Sequence, residues 1–319
     1  MSKPILTIIV PSYNVSKYVD LVVPYYTSDM LFGRIKVAFI DDGATDDSAQ
    51  KIGEYVKKYP QILEFYHKEN GGHGSVINYA VENVISTKYF KVIDGDDWIY
   101  PEEILKLTDY LEGVDDDLII TDCTYEYKDH QSISYGIRKD SSELNLRIHN
   151  VVYKTSIFTE NKIRVREHVF YEDSQFVLYP LEFVRFYSYL PVISARYRQD
   201  EPNQSVNPEV QLRRKNQYEL VLNDLLEYYE KIKNSHEMLE IMKTFCLKSI
   251  ARIMFGAFEL NWSYQRPIKD AIIDSRRINK TYKVSSVYRF MKKKHKRFKQ
   301  MRFLNFNGIR LARMFHKAK

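Results

Sequence analysis

The stretch from Lys91 to Trp98 places three carboxylates, Asp94, Asp96 and Asp97, within four residues directly after an apolar run. Carboxylates packed this closely repel one another unless a cation joins them. Hard oxygen donors suit Mg2+ or Mn2+, ions that keep open positions for phosphate oxygens. A solvated acidic turn or a set of helix caps would use the same residues. A second acidic cluster runs from Asp41 to Ser48. Asp41 and Asp42 there can accept the N–H of a uracil ring or bind a ribose hydroxyl, or simply make a turn. Asp46 and Asp47 read as caps of the helix that follows.

Two further segments carry chemistry. Glu69-Asn70-Gly71-Gly72-His73-Gly74-Ser75 has three glycines in four residues. Such a turn lets backbone N–H groups approach a ligand, and the helix behind it offers its N-terminus to an anion. It lacks the G-K-[ST] ending of a P-loop and is no clean G-x-G-x-x-G. His73 reads either as a contact to phosphate or sugar or as an ordinary loop histidine. Tyr171-Glu172-Asp173-Ser174 opens an apolar stretch. Its carboxylates are suited to capping a helix, or to acting as a general base toward a hydroxyl.

The elements that position these residues are legible as alternating apolar runs and helical stretches. Strands are expected over Leu6–Val10, Lys36–Ile40, Leu63–Tyr66, Tyr89–Ile93 and Asp117–Thr121. Helices are expected over Lys17–Thr27, Ser48–Lys58, Ser75–Ile85 and Glu102–Leu111. This alternation indicates βαβ units and a mostly parallel sheet. In such sheets ligands bind beyond the carboxyl ends of the strands, where the polar clusters fall. Residues 126–205 read as irregular, and 210–233 and 236–260 as helical. The organisation expected is a catalytic α/β domain over 1–205, a helical region over 206–274 and a basic tail over 275–319.

Composition excludes several classes. The 319 residues are 44% hydrophobic and 28% charged, which argues against wholesale disorder and against a multi-span membrane protein. No run reaches the ~18 apolar residues of a membrane span. The N-terminal apolar stretch is too short for a signal peptide and reads as a strand. The two cysteines, Cys123 and Cys246, lie far apart and make no C-x-x-C, so neither a disulfide framework nor a zinc site is indicated. A reducing cytoplasm is the expected location. The 26 tyrosines suit carbohydrate or interface contacts, or an aromatic core.

Taken in order, these segments resemble family 2 glycosyltransferases. The matching residues are Pro11-Ser12-Tyr13-Asn14, then Asp41-Asp42-Gly43 with Thr45-Asp46 and Ser48. Asn70-Gly71-Gly72 with Asn78, Asp94-Gly95-Asp96-Asp97 and Glu172-Asp173 follow. The resemblance is densest over residues 5–100 and extends more loosely to about 205. It implies a GT-A fold, a Rossmann-like α/β sandwich, and metal-assisted, inverting transfer from a nucleotide-diphosphate sugar. Pro11, Tyr13, Asp41 and Asp42 would line the nucleobase and ribose pocket, with Asn14, Gly71, Gly72 and Asn78 completing the donor site. Asp94 would lie near the ribose, and Asp96 would hold Mn2+ or Mg2+ with help from Asp97. Asp173 would be the catalytic base, with Glu172 beside it. Arg196-Tyr197-Arg198-Gln199, with Gln204-Ser205, resembles a segment of short non-processive bacterial members. Arg198 would help with the diphosphate or make a structural salt bridge. The Q-x-x-R-W signature and membrane spans of processive members are missing, so one sugar per event is expected. A UDP-sugar is favoured only by family frequency. The acceptor would be a glycan or lipid-linked glycan of the cell surface.

The last segment is of a different character. After Asp274 there is no acidic residue, while Ser275 to Lys319 holds 16 Lys and Arg. Val287, Met291, Phe298, Met301, Leu304, Leu311 and Phe315 recur mostly at helical spacing. A basic amphipathic helix suits an anionic membrane surface, so peripheral attachment at the inner face of the cell membrane is expected. Contact with a partner or a second copy is the alternative, and no nucleic-acid partner is expected. Two other readings of the whole chain stand beside the transferase. A sugar nucleotidyltransferase would want a basic glycine-rich loop near the N-terminus, where Pro11-Ser12-Tyr13-Asn14 stands. A non-enzymatic binding protein with a degenerate domain would have no need to retain Asp41, Asp96 and Asp173 together.

Overall fold

A computed structural model describes residues 3–137, 143–199, 208–260 and 267–294. The chain divides into two compact units, Met1–Pro202 and Asn203–Lys319. The first unit runs β1 (Leu6–Ser12), α1 (Ser16–Tyr26), β2 (Ile35–Asp41), α2 (Ser48–Lys58), β3 (Leu63–His67), α3 (His73–Asn83), β4 (Tyr89–Val92) and α4 (Pro101–Glu112). It continues with β5 (Leu118–Glu126), β6 (Gln131–Ser134), β7 (Val151–Lys154), α5 (Thr155–Glu160), α6 (Asp173–Leu178) and β8 (Tyr187–Arg198).

The eight strands form one sheet in the order β3-β2-β1-β4-β7-β5-β6, with β8 paired to β5. β1, β2, β3 and β4 are mutually parallel, and β8 is parallel to β5. β7 runs antiparallel between β4 and β5. Strands buried on both faces read as continuous apolar runs. β1 accordingly buries all seven of its residues, and β2 buries all but Lys36. Strand order turns back at β1, between β2 and β4, the kind of point where such sheets open a crevice. The register sets Asp41 opposite both Ser12 of β1 and His67 of β3.

Local chemistry explains where the helices start. Asp46 accepts from the backbone N–H of Ser48 at 3.0 Å with one oxygen and from that of Ser16 at 3.1 Å with the other. One carboxylate thus satisfies the first donors of α1 and α2. Asp47, also expected as a cap, makes no such side-chain bond. Pro101 opens α4 where no donor is needed, with Glu102 and Glu103 in its first turn.

The expected strands and helices up to residue 121 are present. The segment read as irregular instead holds β6, β7 and the twelve-residue β8. β8 escapes a period-two reading because register shifts break its pairing opposite Ile120, Asp122 and Thr124, and because it contains Pro191. Its role is structural at depth. Ser194 of β8 is buried, and its carbonyl and hydroxyl oxygens each accept from Lys91 Nζ at 2.8 Å. Lys91, the last but one residue of β4, also donates to the His149 carbonyl at 3.1 Å.

The second unit is helical: α7 (Pro208–Arg213), α8 (Lys215–Ile232), α9 (Glu240–Leu260), α10 (Ile268–Tyr282) and α11 (Ser286–Lys294). α10 runs straight through the 274/275 boundary drawn from charge. Val287 and Met291, expected on a lipid-facing stripe, are fully buried within this unit, where α11 packs on α9 and α8. Arg277 at the start of the basic segment pairs with both carboxylate oxygens of Glu219. The rest of that expectation, Phe298 to Phe315, lies outside the described residues, as do Gln204 and Ser205. Among the described residues no helix is long and apolar enough to cross a membrane.

Lys91 gives a testable consequence. Burial pushes its ammonium down to about 7, so the folded chain holds fewer protons at this residue than the unfolded chain between about pH 7 and pH 10. Stability therefore rises with pH across that window, by up to about 1.4 kcal/mol per pH unit from this residue. Urea unfolding at pH 7, 8 and 9 should show that slope, and Lys91→Met should flatten it.

Candidate functional site

The polar clusters at the carboxyl ends of β1, β2 and β4 are held in place by a dense set of internal bonds. Asp42 sits at the centre of one of them. Its Oδ1 accepts from Gly71 N at 2.9 Å and from Lys68 Nζ at 2.8 Å, and its Oδ2 accepts from Gly72 N at 2.8 Å. The glycine turn does cradle an anion, but the anion is this carboxylate. Gly72 needs its freedom because its φ is +83°. The expectation that the Gly71 and Gly72 N–H groups face a bound nucleotide sugar is corrected accordingly.

Two asparagines have comparable roles. Asn14, with φ +54°, accepts from Thr45 N at 2.8 Å and ties the end of β1 to the loop after β2. Asn78 of α3 donates to Val165 O at 2.9 Å and to Glu167, and accepts from Val165 N at 3.0 Å. Both hold loops in place through these bonds. Asp41 accepts from Ala44 N at 2.9 Å and meets His67 Nδ1 at 2.7 Å. Pro11 lies in β1, and the Tyr13 side chain beyond it is half exposed.

The acidic turn after β4 stands against the end of β1. A Cβ on Gly95 would lie 2.8 Å from Pro11 O and 3.0 Å from Val15 Cγ1, so only glycine permits this approach. Asp97 is fully buried, and its Oδ1 accepts from Arg198 N at 2.8 Å. Among the described residues its Oδ2 has no hydrogen-bond partner, and it lies 3.9 Å from His149 Nδ1. Burial, then the charges of Asp96 and Asp94, hold the Asp97 carboxyl well above the usual carboxylate range. Asp96 is half-buried, and its carbonyl accepts from Arg198 Nε at 2.9 Å. The Arg198 guanidinium lies over the rings of Tyr18, at 5.0 Å, and Trp98, at 4.9 Å.

Asp94, Asp97 and His149 can each offer one ligand atom, all within 4.8 Å of one another. His149 was not expected from the sequence. It lies just before β7 and its ring stacks on Tyr197, with centroids 4.2 Å apart. Burial pushes its imidazole down to about 4, so it is neutral at pH 7. That is the form that ligates metals.

Glu172 and Asp173 come to the same place from far along the chain. His73, in the first turn of α3, meets Glu172 Oε1 through Nδ1 at 2.8 Å and Asp94 Oδ1 through Nε2 at 3.1 Å. Burial opposes charge on this ring, but hydrogen bonds to Asp94 and Glu172 outweigh it and hold His73 well above the usual histidine range. Asp94 is lowered by the same pairing, against its own desolvation. Asp173 opens α6 and keeps contact with solvent. Desolvation by the surrounding protein, then the charge of Glu172, push its carboxyl up to about 6. The site thus gathers Asp94, Asp96, Asp97, Glu172 and Asp173, with His73, His149 and Arg198 among them.

Known proteins resemble this chain in sequence and in fold. Residues 7–180, more than half the chain, match the family model described as Glycosyl transferase family 2. An uncharacterized glycosyltransferase of Mycoplasma pneumoniae is 37% identical over 95 residues, 30% of this chain and 32% of that protein. One of Rickettsia typhi is 30% identical over 138 residues, 43% of this chain and 42% of that protein. The match thus spans less than half the length of these relatives. Among solved structures, S. aureus TarS 1–349 in complex with UDP superposes with a TM-score of 0.63 at 16% identity, covering 99% of this chain and 92% of that one. The mannosyltransferase PcManGT from Pyrobaculum calidifontis, in complex with GDP-Man and Mn2+, gives 0.55 at 13% identity, covering 92% and 84%. At these identities the structural likenesses speak to the fold, which is the GT-A arrangement of a mostly parallel sheet with a helical C-terminal region. The strand-end carboxylates, the order of the motifs and the family match lead to one conclusion: the chain belongs to glycosyl transferase family 2.

Proposed function

We propose that this protein is a glycosyltransferase that moves one sugar per event from a UDP-sugar to a hydroxyl of a glycan or lipid-linked glycan in cell-surface synthesis, with inversion and with a divalent cation at the acidic end of β4. One observation carries the reading. His73 joins Glu172, beside Asp173, to Asp94, so the late carboxylate pair and the acidic strand end form one hydrogen-bonded site. The complexes of TarS with UDP and of PcManGT with GDP-Man support a nucleotide-linked donor.

The donor set fits a cation. A buried carboxylate oxygen without a partner, crowded by Asp94 and Asp96 and facing a neutral imidazole, is costly unless a positive charge joins it. Asp96, with Asp94, Asp97 and His149 around it, would hold Mn2+ or Mg2+. Bound there, the ion would neutralise charge developing on the departing diphosphate.

The protein's own groups do the rest. Pro11, Tyr13 and Asp41 face the nucleobase and ribose, while Asn14, Asp42, Gly71, Gly72 and Asn78 act through the loops they hold. The acceptor oxygen forms its bond to C1 as the bond from C1 to the diphosphate oxygen breaks, and Asp173 takes the hydroxyl proton. One displacement inverts the anomeric centre, so no carboxylate nucleophile is required. The basic tail would hold the enzyme at an anionic membrane surface on the cytoplasmic side.

Nucleotide release from a panel of nucleotide sugars, with Mn2+, Mg2+ or EDTA, tests the class. Release should need a divalent ion and be lost in Asp96→Ala; release unchanged in that variant would remove Asp96 from the metal assignment. Asp173 must be ionised to accept a proton. Transfer should therefore fall about tenfold per pH unit below pH ~6. Asp173→Asn should lower it by about 10²–10⁴-fold while UDP binding persists. The anomeric configuration of the product, read by NMR, should be opposite to that of the donor.

A further inference from the structure

Among the described residues, buried side-chain oxygens without a hydrogen-bond partner include two carboxylate oxygens at this site, Asp97 Oδ2 and Glu172 Oε2. The first faces His149. The second belongs to a residue only 4% exposed. Leaving a carboxylate oxygen buried and unpaired is costly, so its position calls for an explanation.

The Glu172 side chain is held there by design of the backbone around it. A Cβ on Gly74 would lie 2.2 Å from Arg166 O and 3.0 Å from Glu172 Cγ, so glycine lets the loop carrying Glu172 close onto the start of α3. His168 N donates to Gly71 O at 2.7 Å and fastens the same loop to the glycine turn. Between these glycines stands His73, whose ring fixes Glu172 Oε1 on one side and Asp94 Oδ1 on the other. One oxygen of Glu172 is thereby fixed and the other is left to accept.

We propose that His73 is a positioning residue that presents Glu172 Oε2 to a hydroxyl of the transferred sugar. The inference rests on the proposed function. From Asp173 through Glu172 and His73 to Asp94, one end is assigned to the acceptor hydroxyl and the other to the cation that meets the diphosphate. The moiety between them is the sugar in transit. A sugar hydroxyl carries the proton that an unpaired carboxylate oxygen needs, whereas a diphosphate offers only acceptors. A hydrogen bond to a charged group is also stronger than one between neutral groups, so the contact would favour a sugar with a hydroxyl at that position.

The test compares affinity for UDP with affinity for the UDP-sugar that the release assay selects, by calorimetry with Mn2+, in wild type, His73→Ala and Glu172→Gln. Both variants should lose affinity for the UDP-sugar at least about tenfold more than affinity for UDP. Adding imidazole to His73→Ala should restore sugar binding. 1-Methylimidazole should not, because one of its nitrogens is blocked and it cannot join two carboxylates. Equal loss of UDP and UDP-sugar binding, or no loss of either, would overturn the proposal, as would rescue by both imidazoles alike. If His73→Ala does not fold, Glu172→Gln, which keeps the side chain's shape, decides alone by the same comparison. Wild-type protein that binds neither UDP nor any UDP-sugar would overturn the UDP-sugar reading itself, and this proposal with it.

Discussion

Negative charge gathered at the carboxyl edge of a parallel sheet has to be balanced, and most of this site is the means of balancing it. Asp42 is met by two backbone N–H groups and Lys68. Asp41 is met by Ala44 N and His67, and Asp46 by the first donors of two helices. Asp94 and Glu172 share His73 between them. These bonds fix the loops that close each βα unit. Asp97 Oδ2 and Glu172 Oε2 lack such a bond among the described residues. Internal compensation of most carboxylates lets the uncompensated ones act on a ligand from a rigid frame.

The fold was legible wherever local sequence decides structure. β-branched runs ended by Asp or Pro, with helical stretches between them, define β1 to β5 and α1 to α4, and the polar strand ends follow from that order. β8 was not legible, because its partner β5 lies far away in sequence and the bulges between them erase the alternation a lone strand would show. The glycine turn was legible as an anion cradle, yet not its occupant. Nothing short of the tertiary structure shows that Asp42, rather than a phosphate, lies within reach of Gly71 and Gly72. His149 carries no signal in its neighbourhood; only the antiparallel placement of β7 beside β4 brings it to Asp97. In the basic segment, periodicity correctly marked an apolar face on α11, but period alone cannot say whether protein or lipid covers it. There it is protein.

Lys91 shows how depth in the sheet serves the surface of the site. A buried amine on β4 is tolerated because the Ser194 carbonyl and hydroxyl and the His149 carbonyl all accept from it. Ser194 in turn meets Thr121 Oγ1 at 2.6 Å, and Thr121 donates to Asn150 O at 3.0 Å. The network couples β4, β5 and β8 to the turn that carries His149. Polar groups that satisfy one another in this way specify one arrangement of strands more sharply than apolar packing does. The position of His149 relative to Asp97 is thus fixed from beneath.

Adjacent carboxylates with different surroundings are suited to different roles, and under the proposed function Glu172 and Asp173 are such a pair. Glu172 is buried, and one of its oxygens is fixed by His73. It is therefore poorly suited to collect a proton from an incoming acceptor, which must approach through solvent. Asp173 reaches solvent, and its carboxyl is pushed up to about 6 by desolvation and by Glu172 itself. A base with that affinity stays ionised at pH 7, yet holds a proton more strongly than an ordinary aspartate. The buried neighbour thus contributes twice. Its charge raises the proton affinity of Asp173, and its fixed position keeps that charge close. A histidine at the start of α3, unrelated in sequence to either residue, is what keeps Glu172 from turning away.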